Sequence, residues 1–322
     1  MGIYFKSVCK YVPENIVSNE TLAKLVDTSD EWIFSRTGIK NRRISLGENV
    51  AELCVNAAKL ALDKAGMSAG EVDCIIVSTV TGDFNSPSTA CLVQSGIGAV
   101  NAFAFDINAA CSGFVYALAA ASRMLSGGNY KNALVIGAEV LSKYVDWSDR
   151  ATCVLFGDGA GAALVSKDGR DTLFDFELHS DGTRSDAILL SHLPVKNAFC
   201  AASEPLNNTL AMNGREVFNF AVREVPNVIN SILKKNGLTI SDIDLIVPHQ
   251  ANQRIIEACA KKLGVGTTVF HSNLREYGNT SSASIPIALA ELFEGGLLKS
   301  GQKIILVGFG GGLTWGAVLI EL

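Results

Sequence analysis

The sequence is short of proline, with 7 residues in 322, and has no run of about 18 uninterrupted apolar residues. Scarce proline beside 30 glycines fits a packed, turn-rich chain and not a disordered one. The missing apolar run excludes a membrane helix, and MGIYFKSVCKYVPE at the start lacks the apolar core of a secretory signal. No basic excess exists either. The formal net charge is −5, which argues against a nucleic-acid-binding surface but leaves room for a local basic patch that docks an acidic partner. The eight cysteines contain no C-x-x-C pair, so a structural zinc site is not expected and no metal is assigned. Scattered through apolar segments, they fit reduced, buried thiols in a cytoplasmic protein.

What is present is an alternation of strands and helices. Residues 72–80, 133–140, 243–248 and 303–309 are short, apolar and rich in Val and Ile, and read as buried strands. Residues 50–65, 112–126, 216–235, 251–263 and 283–294 read as helices. That pattern gives an α/β fold of layered sheets covered by helices. At 322 residues the chain exceeds most single cores, which points to two domains or one duplicated unit.

An internal repeat favours the duplication. LDKAGMSAGEVDCIIVST (62–79) matches LKKNGLTISDIDLIVPHQ (233–250) at an offset of 171, with Gly66 over Gly237 and Asp73 over Asp244. SGGNYKNALVIGAE matches EGGLLKSGQKIILVGFG from an offset of 168, at Gly127 over Gly295, to 171, at Gly137 over Gly308. Carried back along the preceding helix, the 168 offset lays Cys111 over Asn279, each at a helix start, while His249 falls on Ser78 at a strand end. The halves are expected to span 1–168 and 169–322, with equivalent positions meeting near a pseudo-two-fold axis.

Three residues stand out as a constellation. Cys111, in FDINAACSGFVYALAAASRML, follows a strand-like run and small residues and opens an apolar helix. A thiol at a helix N-terminus feels unpaired N–H groups and the positive end of the macrodipole. Both favour thiolate, lowering the pKa from ~8.5. The same N–H groups can hold an oxyanion. His249 follows the strand IDLIVP, whereas His179, His192 and His271 lie in polar stretches expected to be exposed. Asn279 lies in REYGNTSSASIP before a helix. An imidazole and an amide can both donate to an oxyanion without carrying charge.

GFGGGLTWG (308–316) lacks the Lys-Ser/Thr of a P-loop, and reads instead as backbone approaching the site, with one of Gly310 to Gly312, taken as Gly311, offering an oxyanion N–H beside that of Cys111. FGDGAGA reads as a tight turn with close packing. On a helix, Trp32 and Arg36 share one face, a pairing suited to stacking a base and meeting a phosphate. Arg254, Lys261 and Lys262 give the helix after His249 a basic face.

The motifs VDTSDEWIFSRTGIKNRR, AACSGF, FGDGAGA, VPHQAN, YGNTSSAS and GFGGGLTWG together resemble the thiolase superfamily, and within it the β-ketoacyl-acyl carrier protein synthase III family, from end to end. The resemblance implies a five-layered α-β-α-β-α fold of two similar halves, a homodimer, and no metal or other cofactor. It implies that Cys111 is the acylated nucleophile and that His249 and Asn279 drive decarboxylation. Trp32, Arg36 and Arg150 would contact the coenzyme A nucleotide, Asn252 and Arg254 the pantetheine entrance. Arg254, Lys261 and Lys262 would dock the acyl carrier protein. Where the family often has a bulky residue reaching the partner's acyl pocket, this chain has Ser86, which implies primers longer or more branched than acetyl. A thiolase would want a second cysteine in the C-terminal glycine loop, and GFGGG has none; elongating synthases have a second histidine where Asn279 stands. A secondary-metabolism acyltransferase and an inactive partner subunit are the remaining alternatives.

Overall fold

The computed structural model describes residues 2–167, 172–200 and 207–322. Two sheets and three helical layers make up the fold. The first sheet holds β1 (Ile3–Tyr11), β4 (Cys74–Ser78), β5 (Phe103–Ile107), β6 (Asn132–Glu139) and β7 (Gly159–Lys167) in the order β1-β7-β6-β4-β5. The second holds β8 (Phe174–Ser180), β11 (Leu245–Pro248), β12 (Lys303–Gly310) and β13 (Thr314–Glu321) in the order β11-β12-β13-β8. The central strands are apolar on both faces, as strands covered by helices on both sides must be. Small ribbons pair β2 (Ile16–Ser18) with β3 (Asn41–Arg43), and β9 (Ile188–His192) with β10 (Asn207–Met212).

The middle layer is α5 (Gly113–Ser126) and α9 (Ser284–Glu294), each packed against strands of both sheets. Their apolar residues, among them Phe114, Leu118, Ile285 and Leu289, join both sheets in one buried cluster. α3 (Val50–Ala65) and α4 (Thr89–Ile97) cover the outer face of the first sheet; α6 (Gly214–Lys235) and α7 (Gln253–Leu263) cover that of the second. The short α1 (Asn19–Leu22), α2 (Asp30–Thr37) and α8 (Leu274–Tyr277) lie in connecting segments. The five layers follow the α-β-α-β-α order.

The two sheets repeat one topology. β1-β7-β6-β4 corresponds to β8-β13-β12-β11, with the same parallel and antiparallel pairings. Among the described residues, only a single parallel bridge, Ile246 to Phe270, stands beside β11 where β5 stands beside β4. The aligned residues do the same work. Gly66 and Gly237 both take positive φ, 62° and 66°, past the ends of α3 and α6. Asp73 caps the start of β6 through Lys131 and Asn132 N–H, as Asp244 caps the start of β12 through Lys303 N–H. The expected boundary between residues 168 and 169 lies outside the described residues.

One register differs from the sequence reading. Ala110 and Ser281, both non-glycine, take left-handed φ of 45° and 47° and open equivalent 3₁₀ turns, Ala110–Ser112 and Ser281–Ala283. The offset entering the middle helices is therefore 171, and Cys111 corresponds to Ser282, not to Asn279. Asn279 corresponds to Asn108. The 168 offset belongs to the helix ends, because α5 has 14 residues and α9 has 11.

Candidate active site

A cavity of about 500 Å³ opens where the two halves meet, and Cys111, His249 and Asn279 all line it. Gly311 and Asn252 line it as well, together with an apolar wall that includes Leu155, Phe156, Ile188, Leu210 and Met212.

Cys111 sits in the left-handed turn that feeds α5, two residues before the helix begins. β12 of the other half presses against it. A Cβ added at Gly310 would stand 2.7 Å from the Cys111 Cβ and 3.0 Å from its Sγ, so the motif requires glycine there for room. Gly311, the next residue, faces Ala110 and Ile188. The electrostatics reverse the sequence expectation. Burial pushes the Cys111 thiol up to about 12, outweighing the hydrogen bond from Ser281 that favours thiolate. The resting group is a thiol.

His249 follows β11, its N–H bonded to Val307 O at 2.8 Å, and its ring meets Phe309 edge-on at 5.1 Å. Burial holds the imidazole at about 3, so it is neutral. Nδ1 lies 2.7 Å from Ser284 Oγ, which is itself 2.8 Å from Ser281 O. Ser284 has one proton. Donating it to Ser281 O, it accepts from Nδ1–H and leaves Nε2 bare; donating it to Nδ1, it makes Nε2 an N–H donor. Asn279 is fixed by backbone bonds to Leu155 and Gly157, and its Oδ1 accepts from Ser281 N–H at 2.9 Å. The Nδ2 hydrogens remain as the donors of that amide.

The remaining candidates lie outside the cavity lining. α2 places Arg36 4.5 Å over the Trp32 ring, and Arg150 lies 4.8 Å from the same ring, next to cavity-lining Ala151. Asn252 caps α7 and donates to Arg36 O, while Arg254 donates to Ser35 O, so α7 and α2 are tied together beside the mouth. Lys261 and Lys262 are exposed in the last turn of α7. Ser86 is exposed on the loop between β4 and α4 and does not line the cavity of its own chain.

Three expectations need correction. His271 is half-buried, because its N–H extends the sheet by bonding Ile246 O. Cys91 and Cys200 are exposed, the first on the outer side of α4 and the second in the connection after β9. Asp158-Gly159 makes no tight turn. The buried Asp158 carboxylate takes bonds from Ser45 N–H, Ser142 N–H and Ser142 Oγ, tying two long loops to the start of β7. Close packing in that motif does hold: a Cβ at Gly161 would stand 2.6 Å from Pro286 of α9.

Sequence reasoning missed Ser281 and Ser284, which position all three groups. The polar run TSSAS before an apolar helix was the available signal, since hydroxyls there have only buried partners to meet.

Comparison with known proteins gives the family. The family profile described as 3-oxoacyl-[acyl-carrier-protein] synthase III matches residues 105–182, and its C-terminal counterpart matches residues 233–322. The beta-ketoacyl-[acyl-carrier-protein] synthase III of Clostridium novyi is 55% identical over 320 residues, covering 99% of both chains. That of Lactococcus lactis subsp. lactis is 51% identical over 318 residues, covering 98% of both. The crystal structure of 3-oxoacyl-[acyl-carrier-protein] synthase III from Aquifex aeolicus superposes with a TM-score of 0.92 at 44% identity over 100% of both chains. The chain belongs to the β-ketoacyl-[acyl-carrier-protein] synthase III family and is a condensing enzyme of the acyltransferase type.

Proposed function

We propose that the protein joins an acyl-CoA primer to malonyl-acyl carrier protein, giving 3-ketoacyl-acyl carrier protein, CoA and CO₂, at the start of fatty acid synthesis. The observation that carries this reading is the convergence of Cys111, His249 and Asn279 on one largely apolar cavity.

In the first half-reaction the Cys111 thiol proton passes to a bare His249 Nε2 as sulfur attacks the primer's thioester carbon. Both groups are neutral at rest, so proton transfer is coupled to attack and does not precede it. N–H groups of Cys111 and of the loop around Gly311 hold the oxyanion. The bond to the CoA sulfur breaks, and the departing thiolate takes the proton back from His249.

In the second half-reaction the carboxylate bond of the malonyl group breaks, CO₂ leaves, and the electron pair enters an enolate. Before it, the imidazole changes tautomer by exchange with solvent, Nδ1 giving up its proton and Nε2 taking one; Ser284 then donates to Nδ1, and His249 Nε2–H and Asn279 Nδ2–H both donate to the thioester oxygen. The enolate carbon attacks the acyl-cysteine carbon and expels the Cys111 thiolate, which a solvent proton neutralises. Loss of CO₂ drives the step, and the chemistry needs no metal or redox cofactor.

The basic and aromatic groups beside the mouth suit the two carriers. Trp32, with Arg36 and Arg150 both against its ring, offers an aromatic group beside two cations for a nucleotide. Asn252 and Arg254 flank the route for pantetheine, and Arg254, Lys261 and Lys262 offer charge to the acidic carrier protein. A homodimer is proposed too. β5 is a sheet edge whose Phe103, Phe105 and Ile107 remain only part-buried, and a second copy would cover them. Ser86 would then act, if at all, on the partner's pocket, favouring longer or branched primers.

The test is a primer panel of acetyl-, isobutyryl- and octanoyl-CoA with malonyl-carrier protein. Expected are 3-ketoacyl-carrier protein and CO₂ in equal amounts, with at least one longer primer outpacing acetyl. CoA release without condensed product would reject the condensing role; strict acetyl preference would reject the reading of Ser86.

A further inference from the structure

Residues 311–313 join β12 to β13, and they carry Gly311, one of the two N–H groups proposed for the oxyanion. With glycine at 310, 311 and 312, only Leu313 gives this loop a side chain of its own, so its shape depends on bonds from outside. The far end is held by backbone: Leu313 N–H bonds Asp181 O at 3.0 Å, and Asp181 N–H bonds Leu313 O at 2.8 Å. The near end is held by one hydroxyl. Thr314 Oγ1 lies 2.9 Å from Gly311 O, 2.9 Å from Ala109 O and 2.5 Å from Ser112 Oγ. Ala109 O also receives Ser112 N–H at 3.1 Å and lies 2.8 Å from Ser112 Oγ. Ser112 donating to Thr314, and Thr314 to Gly311 O, run from the turn to the loop while Ala109 O keeps the N–H. The reverse direction of the Ser112 contact joins the same pieces of backbone.

The duplication shows this hydroxyl to be particular to the open copy. Thr314 pairs with Gly310 at the end of the β12–β13 ladder, and the equivalent pair in the first half is Gly159 with Glu139. Gly159 has no side chain to reach a turn. There the other member reaches instead, with Glu139 Oε1 2.8 Å from Ser282 Oγ, and the space is filled. In the second half the side chain stands on residue 314 and not on residue 310. It ties the loop from beside, and the space over Cys111 stays open.

We infer that Thr314 is the positioning residue of the oxyanion site: its hydroxyl fixes the Gly311 loop against the Cys111 turn, so that N–H groups from the two halves meet one oxygen. Ala109 and Ser112 flank the Cys111 turn in the first half, and Gly311 belongs to the second, so a single side chain holds both carriers of the donors. Donors of this kind act only from a fixed place, and losing one outright costs about 100- to 1000-fold in kcat. A donor that is loosened and not lost costs less. The Asp181 bonds are backbone to backbone, so they survive a change at Thr314 and keep the loop folded.

The inference rests on Cys111 as the acylated nucleophile, so its test compares two reactions of that one sulfur. Acyl transfer from acyl-CoA to Cys111 is followed in a single turnover by CoA release and peptide mass. Alkylation of Cys111 by iodoacetamide is followed beside it, because substitution at a saturated carbon makes no oxyanion. In Thr314→Val, acyl transfer is expected to fall about tenfold while alkylation stays within about twofold of wild type. Thr314→Ser keeps the hydroxyl and should recover most of the rate. Equal losses in both reactions, no loss of acyl transfer, or a serine variant as slow as the valine one would each overturn the inference. Ser112→Ala cuts the same tie from the other side. It should slow acyl transfer about threefold with alkylation spared, and should cost nothing further when added to Thr314→Val, because the two hydroxyls act as one link. Should Thr314→Val fail to fold, Ser112→Ala decides alone, and unchanged acyl transfer overturns the inference. Wild type that releases CoA with no acyl group on Cys111 would reject the nucleophile itself, a failure distinct from these, and the inference with it.

Discussion

The two halves of this molecule build the same turn twice and use it once. In the first, Asn108-Ala109-Ala110-Cys111 bends through a left-handed Ala110 into α5; in the second, Asn279-Thr280-Ser281-Ser282 bends through a left-handed Ser281 into α9. Over Cys111 stands Gly310, with no side chain, and a cavity opens. Over Ser282 stands Glu139, and the equivalent space is filled by a carboxyl with hydroxyl partners. The strand ends differ likewise: Ser78 packs tightly against Gly113, whereas His249 has Ser284 in that place and turns its ring to the cavity. Duplication supplied the geometry, and small against large side chains decided which copy became a site and which became its support.

Filling the open copy is the strongest way to break this contrast. In Gly310→Ala the new methyl would sit 2.7 Å from the Cys111 Cβ. Displacing the sulfur by a fraction of an ångström is expected to lower kcat/KM about 100-fold, with some loss of melting temperature because the Cys111 Cβ and backbone must shift, checked by steady-state kinetics beside calorimetry. Ser284→Ala removes the His249 Nδ1 partner without touching substrate. A loss of about tenfold in kcat with KM nearly constant is expected, because ring orientation and tautomer matter most in the transition state. An effect on KM alone would detach Ser284 from the catalytic ring.

His249 also leaves a mark on acid stability. Its folded pKa, about 3, lies below the ordinary 6.5. The unfolded chain therefore binds more protons between those values, and stability falls as pH drops through that window. In His249→Asn the slope of melting temperature against pH from 6.5 to 3 should be shallower than in wild type; taking the difference cancels the carboxyls, which both proteins share. The smallest effect expected is none. Adding Ser282→Cys to Cys111→Ala places a thiol at the equivalent turn, and no acyl transfer should return, since Glu139 closes that copy. Recovered labelling would show that the two turns are interchangeable.

Much of this was legible in the chain. Apolar Val and Ile runs marked β4, β6, β11 and β12, and helical periodicity marked α3, α5, α6, α7 and α9, because burial on both faces of a sheet leaves few other residue types. Cys111, His249 and Asn279 stood out at element ends, and the structure brings them to one cavity. Less visible were effects made by packing across the halves. The pairing of Cys111 with Ser282 was hidden because the shortening of α9 and the longer loop after it cancel in the offset. The thiol's upward shift was hidden because a helix start is local, whereas the burial that overrides it comes from β12 of the other half. Glu139 reads in sequence as the polar end of a strand, and its contact with Ser282, 143 residues away, is visible only in the fold.

The most direct measurement is peptide mass spectrometry after a brief incubation with acyl-CoA alone. The acyl mass should appear on the peptide containing Cys111, in a base-labile thioester, and should vanish when malonyl-carrier protein is added. Acyl groups found on any other residue, or none on Cys111 while condensation proceeds, would contradict the account.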